Sequence, residues 1–381
     1  MTYNFSIPTE RRNSACMKWD ERPEVSYPLW VADMDFRVCP AIVEALQARV
    51  DHAIFGYAVP PESFYESIIN WHRRNHQVIY DRNWFIVVPG IVPAISAVLR
   101  AMTRPGDGVL TLSPVYNCFY SSIRNLQCRA EESVLVREGD TFRIDFDDLE
   151  RRASLPDVSV MLLCSPHNPC GRIWTQEELR RIADICLRHN VFLVSDEIHC
   201  ELTMPGRDFT PLLSLGEPFA SHVCVCTSAS KTFNIAGLQN AQIIVPDEAI
   251  RQKIDRAVNI HEICDVNPFG IVATEAAYNQ GEEWLIQLRD YIWGNYQAAR
   301  EILQADNSPF RVMSLEATYL MWVDITATGT PSEEFCENLL KSKSIWLSAG
   351  PHYGNGGEGY VRINLATQRE RLTEAMHRMV E

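Results

Sequence analysis

The chain has 381 residues, enough for two or three domains at about 150 residues each, and its hydrophobic (46%) and charged (22%) fractions are those of an ordinary globular protein. Its 35 basic residues face 49 acidic ones, and the net charge of −14 argues against nonspecific nucleic-acid binding. No apolar run approaches the roughly 18 residues of a membrane span, and Met1 to Ser6 lacks the basic-then-apolar start of a secretory signal.

In chain order, Trp84 to Val88 predicts a strand, Val92 to Met102 a helix, and Gly108 to Leu112 a strand. A further strand ends near Leu162-Leu-Cys164, Glu177 to Asn190 is helical, and apolar runs at Val191 and Val223 are again strands. A long helical stretch covers about Asn267 to Gln304, and short strands with a final helix follow from Phe310. This alternation implies an α/β fold with a mainly parallel sheet between helices, which binds ligands beyond the carboxyl ends of its strands. The twelve cysteines contain no Cys-x-x-Cys pair, and the histidines near them lack zinc-like spacing. They read as reduced, mostly buried thiols of a cytoplasmic protein, with no metal expected.

Four segments at such strand ends carry chemistry. Gly90 opens a helix, where the amides of Gly90, Ile91 and Val92 can approach a phosphate and the helix dipole favours the anion. Asn168 lies in a Pro166-His-Asn-Pro-Cys-Gly171 turn. Asp196 ends the run Val191-Phe-Leu-Val-Ser195, with His199 three residues on. Lys231 follows an apolar strand, with Ser228 and Ser230 before it as candidate phosphate ligands. A lysine amine for a covalent link, a carboxylate to keep a pyridine nitrogen protonated, and an amide and imidazole for a phenolic oxygen are what pyridoxal phosphate requires. Each segment alone has an ordinary reading as a turn, a helix cap or a surface lysine. Their occurrence in the order Asn, Asp, Lys, 28 and then 35 residues apart, decides for the cofactor.

Asn-Pro-x-Gly, Asp-Glu-x-x and Ser-x-Ser-Lys-Thr-Phe together resemble the signature series of fold-type I pyridoxal phosphate enzymes, the aspartate aminotransferase superfamily. Within it, Lys18-Trp-Asp20, Trp30-Val-Ala-Asp-Met-Asp-Phe36, Phe55-Gly-Tyr57, Pro89 to Ala94, Ser195 to His199, Ser230 to Leu238 and Arg362 to Ala366 resemble the carbon–sulfur β-lyase subgroup, which includes cystathionine β-lyases. The resemblance implies a large domain over residues 50–275 with a seven-stranded sheet, and a smaller α+β domain from residues 1–49 and 276–381. It implies that Tyr116 stacks on the cofactor ring beside the catalytic Lys231 and Asp196. Tyr57 is expected to reach phosphate and substrate from a partner subunit, making a homodimer, and Arg362 to grip the substrate's α-carboxylate. Asn117 replaces the proline or tyrosine of relatives in the substrate wall. Gln239 stands where many aminotransferases have a phosphate-binding arginine, and His199 where they have tyrosine; the lyase subgroup shares both departures. The implied reaction is elimination from a cysteine substituted on sulfur, such as cystathionine or cystine. Aminotransfer on aromatic or histidinol-phosphate-like substrates, and a regulatory protein-binding role, remain the alternatives.

Overall fold

A computed structural model of the chain describes residues 2–263 and 265–381. Seven strands form one sheet: β1 (Phe85–Val88), β2 (Gly108–Ser113), β3 (Arg129–Val134), β4 (Val158–Cys164), β5 (Phe192–Asp196), β6 (Val223–Thr227) and β7 (Ala241–Ile244). Their order across the sheet is β1-β7-β6-β5-β4-β2-β3. Strand β7 runs antiparallel to both neighbours and every other pairing is parallel. Every residue of β2, β5 and β6 is buried. That is why these strands read as continuous apolar runs: both faces of a parallel sheet are covered by helices. Along β4, Val160, Leu162 and Cys164 pack with the helix Ile91–Met102 on one face. Met161 and Leu163 pack with the helix Gln176–Arg188 on the other.

Two strands were not legible in the sequence. In the edge strand β3, Arg-Ala-Glu-Glu-Ser-Val, only Ser133 is buried, so no apolar run marks it. Strand β7 has only four residues. Its direction matters nonetheless, because two antiparallel pairings in a row return β1 to the direction of β6. Val88 pairs with Ala241 and Thr227 with Gln242, so the carboxyl ends of β1 and β6 lie on one edge.

The expected single stretch from Asn267 to Gln304 is two helices, Pro268–Gln280 and Glu282–Leu303, meeting at Gly281. The chain then forms a four-stranded antiparallel sheet of β8 (Arg311–Val312), β9 (Leu320–Asp324), β10 (Ser348–Ala349) and β11 (Tyr360–Asn364), in the order β8-β9-β11-β10. Near the amino terminus, Tyr27–Pro28 pairs with Ile345–Trp346. Residues 30–36 have no regular structure and run to the large sheet's carboxyl edge, where Lys231 Nζ donates to the Ala32 carbonyl at 2.7 Å. Among the described residues, no helix is long and apolar enough to cross a membrane.

Gly281 makes a sharp test of this packing. A Cβ there would overlap the edge of the Phe233 ring and lie 2.5 Å from the Ala277 carbonyl oxygen. Gly281→Ala is expected to destabilise the fold by about 1–3 kcal/mol, the usual range for overpacking, read as a lower urea midpoint at unchanged slope.

Candidate active site

The segments singled out in the sequence meet at the carboxyl edge of the large sheet. Asp196 is the last residue of β5 and pairs in register with Cys164 on one side and Cys226 on the other. Asn168 follows β4, and Ser228, Ser230 and Lys231 follow β6. Lys231 does not sit at the strand's end as the sequence suggested. It lies four residues beyond Thr227, in a turn stabilised by the Phe233 amide donating to Ala229 and that of Ile235 to Ser230.

Burial shifts the charges of this edge toward neutrality. It lowers the Lys231 pKa, an effect opposed by Asp33 and Asp196 and reinforced by Arg362. Burial also raises Asp196 to about 7, against the Ile198 amide and the Lys231 charge, which lower it. The Asp196 Oδ1 accepts from the Ile198 amide at 3.1 Å, and no ion pair to Asp196 occurs among the described residues. His199 is buried and pushed down to about 3, first by burial and then by Lys231 and Arg362. It is therefore a neutral ring, its Nδ1 has no partner, and it stands 6.1 Å from the Tyr319 ring.

Arg362, in the middle of β11, joins the two sheets. Its Nη1 donates to the Asn168 Oδ1 at 3.0 Å and its Nη2 to the Trp30 carbonyl at 2.9 Å. The guanidinium lies 4.8 Å above the Tyr353 ring centre, and its Nε is buried without a partner. A guanidinium has five N–H groups. The Nε–H and one N–H on each terminal nitrogen are thus left for a ligand. Accepting from Arg362 also orients the Asn168 amide and frees its NH2 group.

At β1, Gly90 precedes the helix Ile91–Met102 with φ +156°, a conformation open chiefly to glycine. No side chain caps this helix, and Pro93 has no N–H, so the amides of Ile91 and Val92 remain for an anion. Ser228 is less free than its place in the motif suggests: its hydroxyl donates to the Asn240 carbonyl at 2.6 Å and accepts the Ser230 amide at 3.1 Å. Tyr116 precedes the helix Asn117–Asn125. Burial, Cys118 and Asp196 together hold its phenol well above its usual pKa. Asn117 is exposed. Tyr57 is 96% exposed in an irregular stretch after the helix Pro40–His52, and this chain alone does not bring it to the others.

Residues 30–36 and Asn364, which in the sequence stand out only as parts of motifs, hold the backbone of the site in place. The carbonyls of Trp30 and Ala32 meet Arg362 and Lys231. Asn364 Nδ2 holds the Val31 and Asp33 carbonyls, each at 2.7 Å, and Asn234, three residues past the lysine, holds those of Met34 and Phe36. The signal was the polar pair Asn234 and Asn364 inside otherwise apolar motifs.

A buried carboxylate without a cation, a neutral imidazole whose Nδ1 has no partner, a lysine of lowered proton affinity held by a backbone carbonyl and an uncapped helix start are each open to a group of complementary chemistry. Pyridoxal phosphate would supply each: a pyridinium N–H, a phenolic oxygen, an aldehyde and a phosphate. The residues present fit that group.

Known proteins of similar sequence and fold bear on this arrangement. Cystathionine beta-lyase PatB of Bacillus subtilis is 38% identical over 99% of this chain and 98% of its own length. The crystal structure of cystalysin from Treponema denticola, which contains pyridoxal 5'-phosphate, superimposes with a TM-score of 0.96 at 33% identity, covering 100% of this chain and 98% of that one. The PLP-bound C-S lyase from Staphylococcus hominis follows with a TM-score of 0.93 at 28% identity, covering 99% and 98% of the two chains. The architecture is therefore that of fold type I, and a match over residues 28–379 makes this chain a member of the aminotransferase class I and II family.

Proposed function

We propose that the protein is a pyridoxal phosphate-dependent carbon–sulfur β-lyase that cleaves cystathionine, cystine or a related S-substituted cysteine to a thiol, pyruvate and ammonia. The observation that carries this reading is a lysine of lowered proton affinity beside a buried Asp196 that has no ion pair. The choice of lyase chemistry draws on PatB and the two lyase structures. When bound, the cofactor supplies an electron sink for charge developing at the substrate α-carbon. Lys231 would hold it covalently and Asp196 at the ring nitrogen, with Asn168 and His199 at the phenolic oxygen. Tyr116 would lie against the ring, and Gly90, Ile91, Val92, Ser228 and Ser230 around the phosphate.

The chain's own groups do the rest. Arg362 binds the substrate carboxylate through N–H groups not used by Asn168 and Trp30, which fixes the α-carbon above Lys231. Lys231, as a neutral amine, takes the α-proton, and burial, which lowers its proton affinity, favours that form. The sulfur leaves as a thiolate with the electron pair of its bond to the β-carbon, and one water is consumed in releasing pyruvate and ammonia. Purified protein given cystathionine and no keto acid should form pyruvate and thiol in equal amounts. Exchange of amino groups with an added keto acid, without pyruvate release, would make it an aminotransferase instead.

Tyr27–Pro28 pairing with Ile345–Trp346 supports grouping residues 1–49 with 276–381 as the smaller domain beside 50–275. The free cysteines support a cytoplasmic setting. The exposed apolar run Ile54, Phe55, Tyr57 and Val59 supports a homodimer in which Tyr57, and with it the edge near Asn117, completes the partner's site. Mixing inactive Tyr57→Ala and Lys231→Ala chains should then restore activity, because each hybrid dimer has one intact site. A monomer by sedimentation, or no recovery, would remove this reading.

Two further variants separate the roles of the buried ions. Arg362→Ala should raise the Michaelis constant for cystathionine and cystine alike while leaving cofactor absorbance unchanged. Charge-assisted hydrogen bonds are worth about 1.5–3 kcal/mol each, so efficiency should fall by about two orders of magnitude or more. Arg362→Lys should recover little, because an ammonium cannot form the two-pronged contact. Asp196→Ala should instead lower turnover more than cofactor affinity, since the phosphate contacts remain. Wild-type kinetics in either variant, with cofactor saturating, would refute the assigned role.

A further inference from the structure

We propose that His72, His76 and Glu201 form a binding site for a divalent cation of the zinc class, separate from the cofactor site. The expectation of no metal rested on the cysteines, whereas this cluster joins a helix to a turn 125 positions further along the chain. His72 and His76 lie four apart near the end of the helix Glu62–His76, so both rings project from one face. Glu201 arrives on the turn that follows β5. The ligand atoms of the three residues all lie within 4.8 Å of one another. A tetrahedral zinc ion, with Zn–N near 2.0–2.1 Å, needs its ligand atoms about 3.4 Å apart. Reaching that spacing requires the ligand atoms to close by at most about 1.4 Å.

His72 is the second, independent observation. Its side chain is wholly buried, and neither ring nitrogen has a hydrogen-bond partner. A neutral imidazole always carries one donor and one lone pair, and enclosing both without a partner is costly unless something else takes the lone pair. The other two ligands are already oriented. His76 Nε2 stands 2.8 Å from Glu201 Oε1. Glu201 also accepts from Trp71 Nε1 at 2.7 Å, an outer hydrogen bond of the kind that fixes a metal-bound carboxylate.

A cleft of about 440 Å³ reaches His76 and Glu201 from solvent, giving an entry path and room for a water as fourth ligand. Asp208 and Glu282 in its lining favour a cation, and Arg207 and Arg289 oppose one. Two imidazoles with one carboxylate select zinc or cobalt over magnesium or calcium. Such an ion would pin the helix Glu62–His76 to the turn carrying His199. Through Trp71, whose ring centre is 5.8 Å from that of Phe233, it would also brace the turn carrying Lys231. Its role is structural.

The test uses the full-length, cofactor-loaded protein, stripped with a chelator, equilibrated with zinc chloride and desalted. One zinc per chain is expected by elemental mass spectrometry, and cobalt in its place should give visible d–d bands beyond the cofactor absorbance. Changes to residues that merely orient ligands cost 10–100-fold in affinity, so His72→Ala and Glu201→Gln should each weaken zinc binding by at least about 100-fold. Unchanged circular dichroism and cofactor content will show that they fold; if either does not, His76→Gln reads the same loss. Substoichiometric zinc in the wild type, or one zinc retained equally by the variants, overturns the proposal.

Discussion

A buried ion pair within the segment 30–36 and the helix before it helps to fix where the active site's backbone lies. The side chains of Lys18 and Asp35 are each 1% exposed and meet at 2.9 Å. Burial raises the Asp35 pKa, and the Lys18 charge with the Trp19 and Lys18 hydrogen bonds outweighs it, so the net shift is downward. Such a pair contributes little net stability, because desolvation offsets most of the attraction. What it supplies here is position. Arg11 adds a further donor to Asp35, and Lys18 also holds the Asp33 carbonyl. Residues 30–36, which have no ladder of their own, are thereby fixed in one path. Their carbonyls still need donors, and Arg362, Lys231, Asn364 and Asn234 supply them together with Lys18, Arg11 and Gln368.

Three distant parts of the chain therefore converge. The large sheet brings Asn168, Asp196 and Lys231, the antiparallel sheet brings Arg362 and Asn364, and the segment 30–36 binds both. Arg362 is the joint, since its two terminal nitrogens are held by Asn168 from one sheet and Trp30 from the strap. Guanidinium suits this duty because its rigid fork can be anchored on some N–H groups while presenting the others. The ring of Tyr353 beneath it restricts the remaining freedom.

Much of this was legible beforehand, for physical reasons that differ by element. Strands β2, β5 and β6 were readable because burial on both faces demands unbroken apolar runs, and the functional residues follow at the punctuation that ends them. Strand β3 was not, because an edge strand can be polar throughout. Strand β7 was too short to show a period. The need for glycine at 281 was hidden because the ring that leaves no room for a Cβ, Phe233, lies 48 positions earlier in the sequence. The Ser228 bond to Asn240 and the strap's carbonyls were invisible for the same reason: backbone acceptors leave no mark on residue identity. Tyr57 could be placed on the surface only by coordinates, among exposed apolar neighbours.

The turn after β5 shows how partners, and not burial alone, set charge in this protein. Glu197, Glu201 and Asp196 are all buried within six residues. Burial raises each of them, yet Glu201 ends at about 2, chiefly because the charge and hydrogen bond of His76 and the Trp71 hydrogen bond outweigh it. Glu197 has only the Leu212 amide and Ser195 hydroxyl as hydrogen-bond donors, with His76 at longer range, and it stays at about 7. Asp196 behaves like Glu197, with one amide and the Lys231 charge against its burial. What separates Glu201 is its direct contact with His76, whose own proton affinity Glu201 raises. Asp196 occupies the one position of the three that faces Lys231 across the end of the sheet, and it lacks such a contact. A protonated ring nitrogen would provide it, and the same physics that draws Glu201 down would then hold Asp196 as a carboxylate. A cationic ligand at this edge would relieve the burial that raises Asp196.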